Sequence, residues 1–357
     1  MSAAAAVAKQ RKCWCGEASL ASFSPDYLEC RACGTLVSRV GLTMDEVAVT
    51  DDDCDFYGKT YWLGHQTDQL GLPDISQRAR ADLPERCMHW LRTMLRYKPP
   101  PARVLEVGCS HGGFVALLRS LGYDATGLEL SPWVVEFARR TFDVPMLLGP
   151  VEDQDLPDRS FDAIVLNDVV EHLLEPMATL QRCSSLLKDD GVLVIQMPSY
   201  PEGQTYDDLL TRQHRFLLVM DGQSRQHLHL FSRRAAERLF DRLGFPEREF
   251  LAPLFDYDMY LVASRQPLMP NGVEQLATPL ATSPSGRMTL AWVDLLMRFE
   301  VCEEDRAARL KIIHDLQGQV CEGAAAYRRL TTFPGFRAWR QVPRWLLIAL
   351  RRLGRAA

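Results

Sequence analysis

Apolar residues recur along the middle of the chain in short continuous runs separated by helical stripes. Val104 to Val107 is one such run; a glycine-rich turn, an amphipathic stretch and a second run ending in Glu129 follow it. Met146 to Glu152 (MLLGPVE) reads as a third strand and its loop. Phe161 to Asn167 (FDAIVLN) is apolar almost throughout, the pattern of a strand buried on both faces. Gly191 to Met197 (GVLVIQM) repeats it, and Asp258 to Ser264 (DMYLVAS) closes the series. Ser232 to Leu243 reads as a helix, with Gly244 placed to cap its end. Buried strands alternating with helices predict a doubly wound α/β domain with a mostly parallel sheet.

Chemistry enters at the first turn. Gly108, Gly112 and Gly113 stand where the backbone must bend sharply and let a ligand approach. Glu129 follows about twenty residues later, at the end of the next strand, where a carboxylate accepts hydrogen bonds from a ribose diol. Strand, turn, helix, strand and acid in that register predict a nucleoside-bearing cofactor. No G-x-x-x-x-G-K-[ST] occurs, which argues against nucleoside triphosphates. An acid two residues before the first glycine, Glu106, would repel a pyrophosphate and suits a cationic ligand. The same turn also spells G-x-S-x-G around Ser110, the nucleophile elbow of α/β-hydrolases, but that fold needs several strands upstream and none is predicted before Val104.

Glu106, Gly108, Ser110 and Gly112 resemble the acid and G-x-G-x-G turn of the class I S-adenosylmethionine-dependent methyltransferases, with Ser110 in place of the middle glycine. The resemblance implies a Rossmann-like seven-stranded sheet and S-adenosylmethionine as cofactor. It assigns the methionine end to Glu106, Gly108, Ser110 and Gly112, and the ribose to Glu129 with Leu130 beside it. Asn167 and Asp168 flank the cofactor from the fourth strand. The adenine edge falls to Val151 and Glu152 or Asp153, since Pro150 stands where the family often has an acid. Glu171-His172 resembles an acid–His pair common after the fourth strand. QHLHLFS (226–232) resembles a His-containing element of relatives acting on sugars. It ends an insertion, Pro198 to Leu230, that also holds Tyr200, Tyr206 and His214. For a hydroxyl acceptor His172 and His227 are the candidate bases, as they are for enolate formation at a carbon acceptor. His214 and His229 read as structural.

Ten cysteines are present, and four of them form Cys13-x-Cys15 and Cys30-x-x-Cys33 with Gly16 and Gly34 following. Two knuckles at this spacing predict a tetrahedral, structural zinc site. Met1 to Gln10 lacks the apolar core of a secretory signal, which disfavours a disulfide reading. Few basic residues and no interleaved aromatics argue against nucleic acid. Similar modules precede methyltransferase domains that modify sugars, so the resemblance implies a sugar or glycan acceptor. Phe56 to Trp62 (FYGKTYW) leaves two readings open, a lid over the cofactor or packing between ribbon and core; Asp51, Asp52, Asp53 and Asp55 read as a solvated run.

The organisation expected over 357 residues is a ribbon (1–50), an aromatic connector (51–82), the methyltransferase domain (83–264), a Pro/Ser/Gly-rich linker (265–287) and a helical extension (288–357). Within the extension Leu310, Ile313, Leu316 and Val320 form a coiled-coil-like stripe that suits a homodimer or folding back. Residues 323–357 carry eight Arg and no acid, so the other 33 Lys and Arg face 46 acids and leave the first 322 residues at −13. The basic helix Arg344 to Arg355 is too short in its apolar run to span a bilayer but suits an anionic membrane surface. The expected location is the cytoplasm, with peripheral contact at the inner membrane face as a further reading.

Overall fold

Each apolar run of the core is a strand. The computed structural model describes residues 12–69, 71, 73–220, 222–223 and 225–332. Its strands are β1 (Ala21–Ser22), β2 (Tyr27–Cys30), β3 (Thr35–Ser38), β4 (Arg103–Val107), β5 (Asp124–Glu129), β6 (Met146–Leu148), β7 (Phe161–Asn167), β8 (Leu187–Pro198), β9 (His229–Phe231), β10 (Glu247–Leu251) and β11 (Asp258–Ser264). Seven of them form one sheet in the order β10-β11-β8-β7-β4-β5-β6. β6, β5, β4, β7 and β8 run parallel; β11 is antiparallel to β8, and β10 is antiparallel to β11 and so points the same way as the five. The chain leaves β4 toward β6, then returns to β7 on β4's other side. That reversal opens a crevice between the carboxyl ends of β4 and β7, where doubly wound sheets bind ligands.

The apolar runs explain the burial. Ile164 and Leu166 of β7, with Leu105 of β4 and Leu193 and Ile195 of β8, are fully buried in one cluster with Leu180, Leu239 and Phe240 of the flanking helices. Replacing Ile164 by Ala should cost roughly 2–5 kcal/mol, read as a lower denaturant midpoint. Exposed Leu148, at 47 % accessibility, should tolerate the same change to within about 0.5 kcal/mol.

A second sheet, β1-β2-β3-β9, is antiparallel. Its first three strands belong to the cysteine module. The fourth comes from the far end of the 198–230 insertion, with Thr35 opposite Phe231 and Val37 opposite His229. A three-residue strand has too little length to show a period, so the sequence marks this segment only as part of an insertion. The linker expected at 265–287 contains a helix, Val273–Leu280, and the long helix begins earlier, at Pro284, and runs to Thr332. β8 also starts four residues before the run that announced it.

The chain divides into two compact units, residues 1–290 and 291–357. In the second, Leu310, Ile313, Leu316 and Val320 lie exposed along the helix. The basic segment Arg344 to Arg355 lies outside the described residues. Among the described residues no helix is long and apolar enough to cross a membrane.

Candidate active site

The turn after β4 is built around glycine. Gly108 has φ +68°, and a Cβ there would come within 2.6 Å of the Val169 side chain. Gly112, at φ +78°, caps the helix Gly113–Ser120 and lies against Ala138 and Val144. Only glycine meets both the backbone angle and the close approach. Ser110 adopts φ 51°, a left-handed conformation that the sequence pattern would have given to glycine.

Glu106 and Glu129 end up on neighbouring parallel strands, with Glu106 opposite Gly127. Glu129 is buried and organises the turn. Its Oε2 accepts the Ser110 N–H at 3.1 Å, and its Oε1 accepts that of Leu130 at 2.8 Å. Burial pushes its carboxyl pKa up, against the pull of these N–H groups. Glu106 is driven well above the usual carboxylate range by burial, then by Glu129. Among the described residues its Oε2 meets no hydrogen-bond partner, nor do Ser110 Oγ and both side-chain polar atoms of Asn167. Buried polar groups are nearly always paired, so a crevice with this many unsatisfied ones is shaped for a polar ligand. A cationic amino-acid end beside Glu106 and hydroxyl-bearing groups beside Glu129 and Asn167 fit it, as S-adenosylmethionine would offer.

These groups open on a cavity of about 730 Å³ lined by Glu106, Gly108, Ser110, Asn167, Asp168, Glu171, His172 and His227, among others. Of the residues expected to bind cofactor, Glu129, Leu130, Val151 and Glu152 are not in its lining. Gly112 is not either; its part is in the bend. Glu152 is exposed, with Oε1 hydrogen-bonded to Thr179 Oγ1, so it is not brought to the cavity.

The aromatic connector accounts for part of this. Asp52 accepts hydrogen bonds from Ser131 Oγ at 2.7 Å and from the Trp133 N–H at 2.8 Å. It thereby ties the connector to the start of helix Pro132–Phe142, which directly follows Glu129. Tyr61 and Trp62 pack with Ile75 and Val134, joined by Phe56, Tyr57, Trp133 and Phe137. The connector thus packs on the helix beside the cofactor crevice. Asp52, expected within a solvated run, is instead half-buried and bonded.

On the other side of the cavity, Asp168 accepts Arg86 Nη1 at 3.0 Å and Gln196 Nε2 at 2.9 Å, and Trp90 Nε1 donates to Gln196 Oε1 at 3.0 Å. Asp258 faces the same cluster; burial, then Asp168, raises its pKa to about 8. Nothing in the sequence marks Arg86 or Trp90, because their roles appear only when the helix before β4 folds over the carboxyl ends of the strands.

Glu171, His172 and His227 meet although 55 residues separate the two histidines. The Leu228 N–H donates to Glu171 C=O at 2.7 Å, joining the turn after β7 to the insertion. His172 Nδ1 lies 3.0 Å from Gln226 O, and His227 Nδ1 lies 2.7 Å from Val219 O. Carbonyls only accept, so both Nδ1 atoms carry the hydrogen and each Nε2 keeps its lone pair. Tyr57 Oη is 3.2 Å from the same His172 Nδ1. Burial, then His227, depresses His172 to about 3, and burial lowers His227. His214 caps the short helix Arg215–Val219 by accepting the Phe216 N–H, and His229 Nδ1 lies 3.1 Å from Leu173 O; both sit in structural places.

Among the described residues no general base reaches Ser110. Its Oγ is unpaired, and the adjacent His111 is held by the Gly113 N–H at Nδ1 and by Asp82 at Nε2, 3.1 Å away. With β4 the first strand of the large sheet, the hydrolase arrangement is not formed.

In the cysteine module, Sγ atoms of Cys13, Cys15, Cys30 and Cys33 all lie within 4.8 Å of one another. The knuckles close as expected, with Gly16 N–H to Cys13 C=O and Gly34 N–H to Cys30 C=O. Arg242 Nη1 donates to Cys15 C=O at 2.9 Å and ties the module to the core.

Residues 79–246 match the family model described as a methyltransferase domain. Ubiquinone biosynthesis O-methyltransferase of Xanthomonas campestris pv. campestris (strain B100) is 34 % identical over 145 residues, 37 % of this chain and 60 % of that protein. The enzyme of the same name from Xanthomonas axonopodis pv. citri (strain 306) is 33 % identical over 127 residues, 32 % and 53 % respectively. The chain therefore spans somewhat over half the length of these curated relatives. Among solved structures, a SAM-dependent methyltransferase from Archaeoglobus fulgidus aligns over 57 % of this chain and 99 % of its own, at 17 % identity and a TM-score of 0.43. Sheet order, glycine turn and family match agree: residues 79–246 match a methyltransferase domain and carry a Rossmann-like sheet of the kind found in class I S-adenosylmethionine-dependent enzymes.

Proposed function

We propose that the protein methylates a hydroxyl oxygen of a small acceptor, a sugar or glycan intermediate, using S-adenosylmethionine. The observation that carries the cofactor part of this reading is the set of unsatisfied buried groups, Glu106, Ser110 and Asn167, at the carboxyl ends of β4 and β7 beside Glu129; the sugar acceptor follows from the resemblance of the cysteine module and of residues 226–232 alone. When bound, the cofactor supplies an electrophilic methyl carbon. The chain's part is to hold both reactants in line and exclude water, which accounts for most of the rate. With the cofactor bound, the methyl group would pass from sulfur to the acceptor oxygen, and Glu171, His172 and His227 line the side of the cavity from which the hydroxyl proton would leave. The acceptor approaches from the insertion side, where Leu217, Val219 and Tyr257 give the cavity an apolar wall. A second acceptor class, a ubiquinone precursor, is favoured by the names of the curated relatives. The four converging thiols suit a structural zinc ion, since no ligand position among them is left for water or substrate.

Calorimetric titration with S-adenosylmethionine tests the reading, followed by a methyl-transfer assay over sugar and ubiquinone-precursor hydroxyls. Binding should weaken roughly tenfold or more in Glu129→Ala, which loses charge-assisted hydrogen bonds. No binding by the folded wild-type protein refutes it; binding with no turnover on any acceptor makes the chain a cofactor-dependent scaffold.

A further inference from the structure

Glu171, His172 and His227 each bring one ligand atom to within 4.8 Å of the others. Both imidazoles carry hydrogen on Nδ1, because each Nδ1 faces a backbone carbonyl, so both Nε2 atoms are acceptors. Glu171 is 1 % exposed, its Oε1 is 3.9 Å from His172 Nε2, and its Oε2 has no hydrogen-bond partner. Three possible ligand atoms thus converge beside the cavity, and among the described residues Glu171 Oε2 meets no donor. A cation placed among them would engage a lone pair of each.

We propose that Glu171, His172 and His227 bind a divalent first-row transition-metal ion, and that the acceptor hydroxyl completes its coordination. Two imidazoles and one carboxylate suit Zn²⁺, Mn²⁺, Fe²⁺ or Co²⁺; Mg²⁺ and Ca²⁺ prefer oxygen ligands throughout. Anchoring Nδ1–H on a carbonyl is how metal-ligating histidines are held, as it fixes the ring and the tautomer. Three protein ligands leave open positions, and all three residues line the cavity. A hydroxyl bound there loses its proton more easily, the proton passing to solvent as the oxygen takes up the methyl group. The ion site stands on its own geometry; its role in activating a hydroxyl rests on the methyl-transfer reading.

The test uses the full-length protein with its cysteine-bound metal retained, titrated with Mn²⁺ by calorimetry and electron paramagnetic resonance. One further equivalent should bind wild-type protein, and Glu171→Gln and His227→Gln should each weaken it by about tenfold or more. Absence of that equivalent, or unchanged affinity in both variants, overturns the proposal. Co²⁺ on the wild type needs no variant: ligand-field bands without thiolate charge transfer support the site, and thiolate charge transfer alone overturns it. S-adenosylmethionine titrated in parallel separates the two readings. Cofactor binding without Mn²⁺ binding defeats only the ion site, whereas Mn²⁺ binding without cofactor binding defeats the methyltransferase reading.

Discussion

Cys30→Ser should lower kcat by about a hundredfold while leaving S-adenosylmethionine affinity within about threefold of wild type. The cysteine module is far from Glu106 and Glu129 in sequence, yet it holds the loop that carries His227. Tyr27 Oη donates to the His227 carbonyl at 3.2 Å, and the Ser38 N–H donates to that of Leu228 at 3.0 Å. Leu42 N–H reaches Arg225 C=O at 2.9 Å, and β3 pairs directly with β9. Cys30 is fully buried at the end of β2, so loss of its Sγ from the four-cysteine cluster loosens the sheet that carries these bonds. A displacement of about 1 Å at a group handling the acceptor proton costs on the order of a hundredfold. The cofactor groups on β4 and β5 belong to the other sheet and should keep their geometry. Steady-state kinetics beside calorimetry on the same sample decides the matter. Unchanged turnover, or a parallel collapse of cofactor affinity, would show that the module is not a positioning element for His227.

The same bonds show where sequence was informative and where it was not. The strands of the large sheet were legible because each is buried on both faces and so leaves a run of apolar residues. Glu106, Gly108 and Glu129 were legible because the turn has few sequence solutions: Gly108 and Gly112 both have positive φ, and a Cβ at Gly108 would run into Val169. The Cys13–Cys33 quartet was legible from spacing alone. β9 was not, since His229 to Phe231 is defined by its partner β3, about 190 residues away. Asp52 read as one of a run of solvated acids, and only the folded chain sets it against Ser131 and Trp133. Likewise Glu171-His172 and His227 could be singled out separately, but their convergence depends on Leu228 joining two distant segments. Glu152 fails in the opposite sense. Its place in the chain suited the adenine edge, but Thr179 holds it outside the cavity.

Glu106→Gln should stabilise the cofactor-free protein by about 1–3 kcal/mol at neutral pH and weaken S-adenosylmethionine binding on the order of 10–100-fold. Glu106 is 4 % exposed, with one oxygen unpartnered and its pKa well above the ordinary 4.5. A carboxyl whose folded-state pKa is raised holds its proton more tightly folded than unfolded. Its favourable contribution is therefore complete below about pH 4.5 and is lost as pH rises through the folded value. Glutamine keeps the shape of the neutral acid and cannot ionise, so the stability of the variant should fall less steeply above pH 4.5. The cofactor's cationic end reverses the balance, because a positive charge beside Glu106 favours the carboxylate. Binding to wild type should then release a proton that binding to Glu106→Gln does not. Calorimetry in two buffers of different ionisation enthalpy measures that difference directly. Equal proton release by both proteins would mean that Glu106 keeps its protonation state and that the cationic end is held elsewhere. Loss of stability in the variant across the whole pH range would mean that the carboxyl is already satisfied without cofactor.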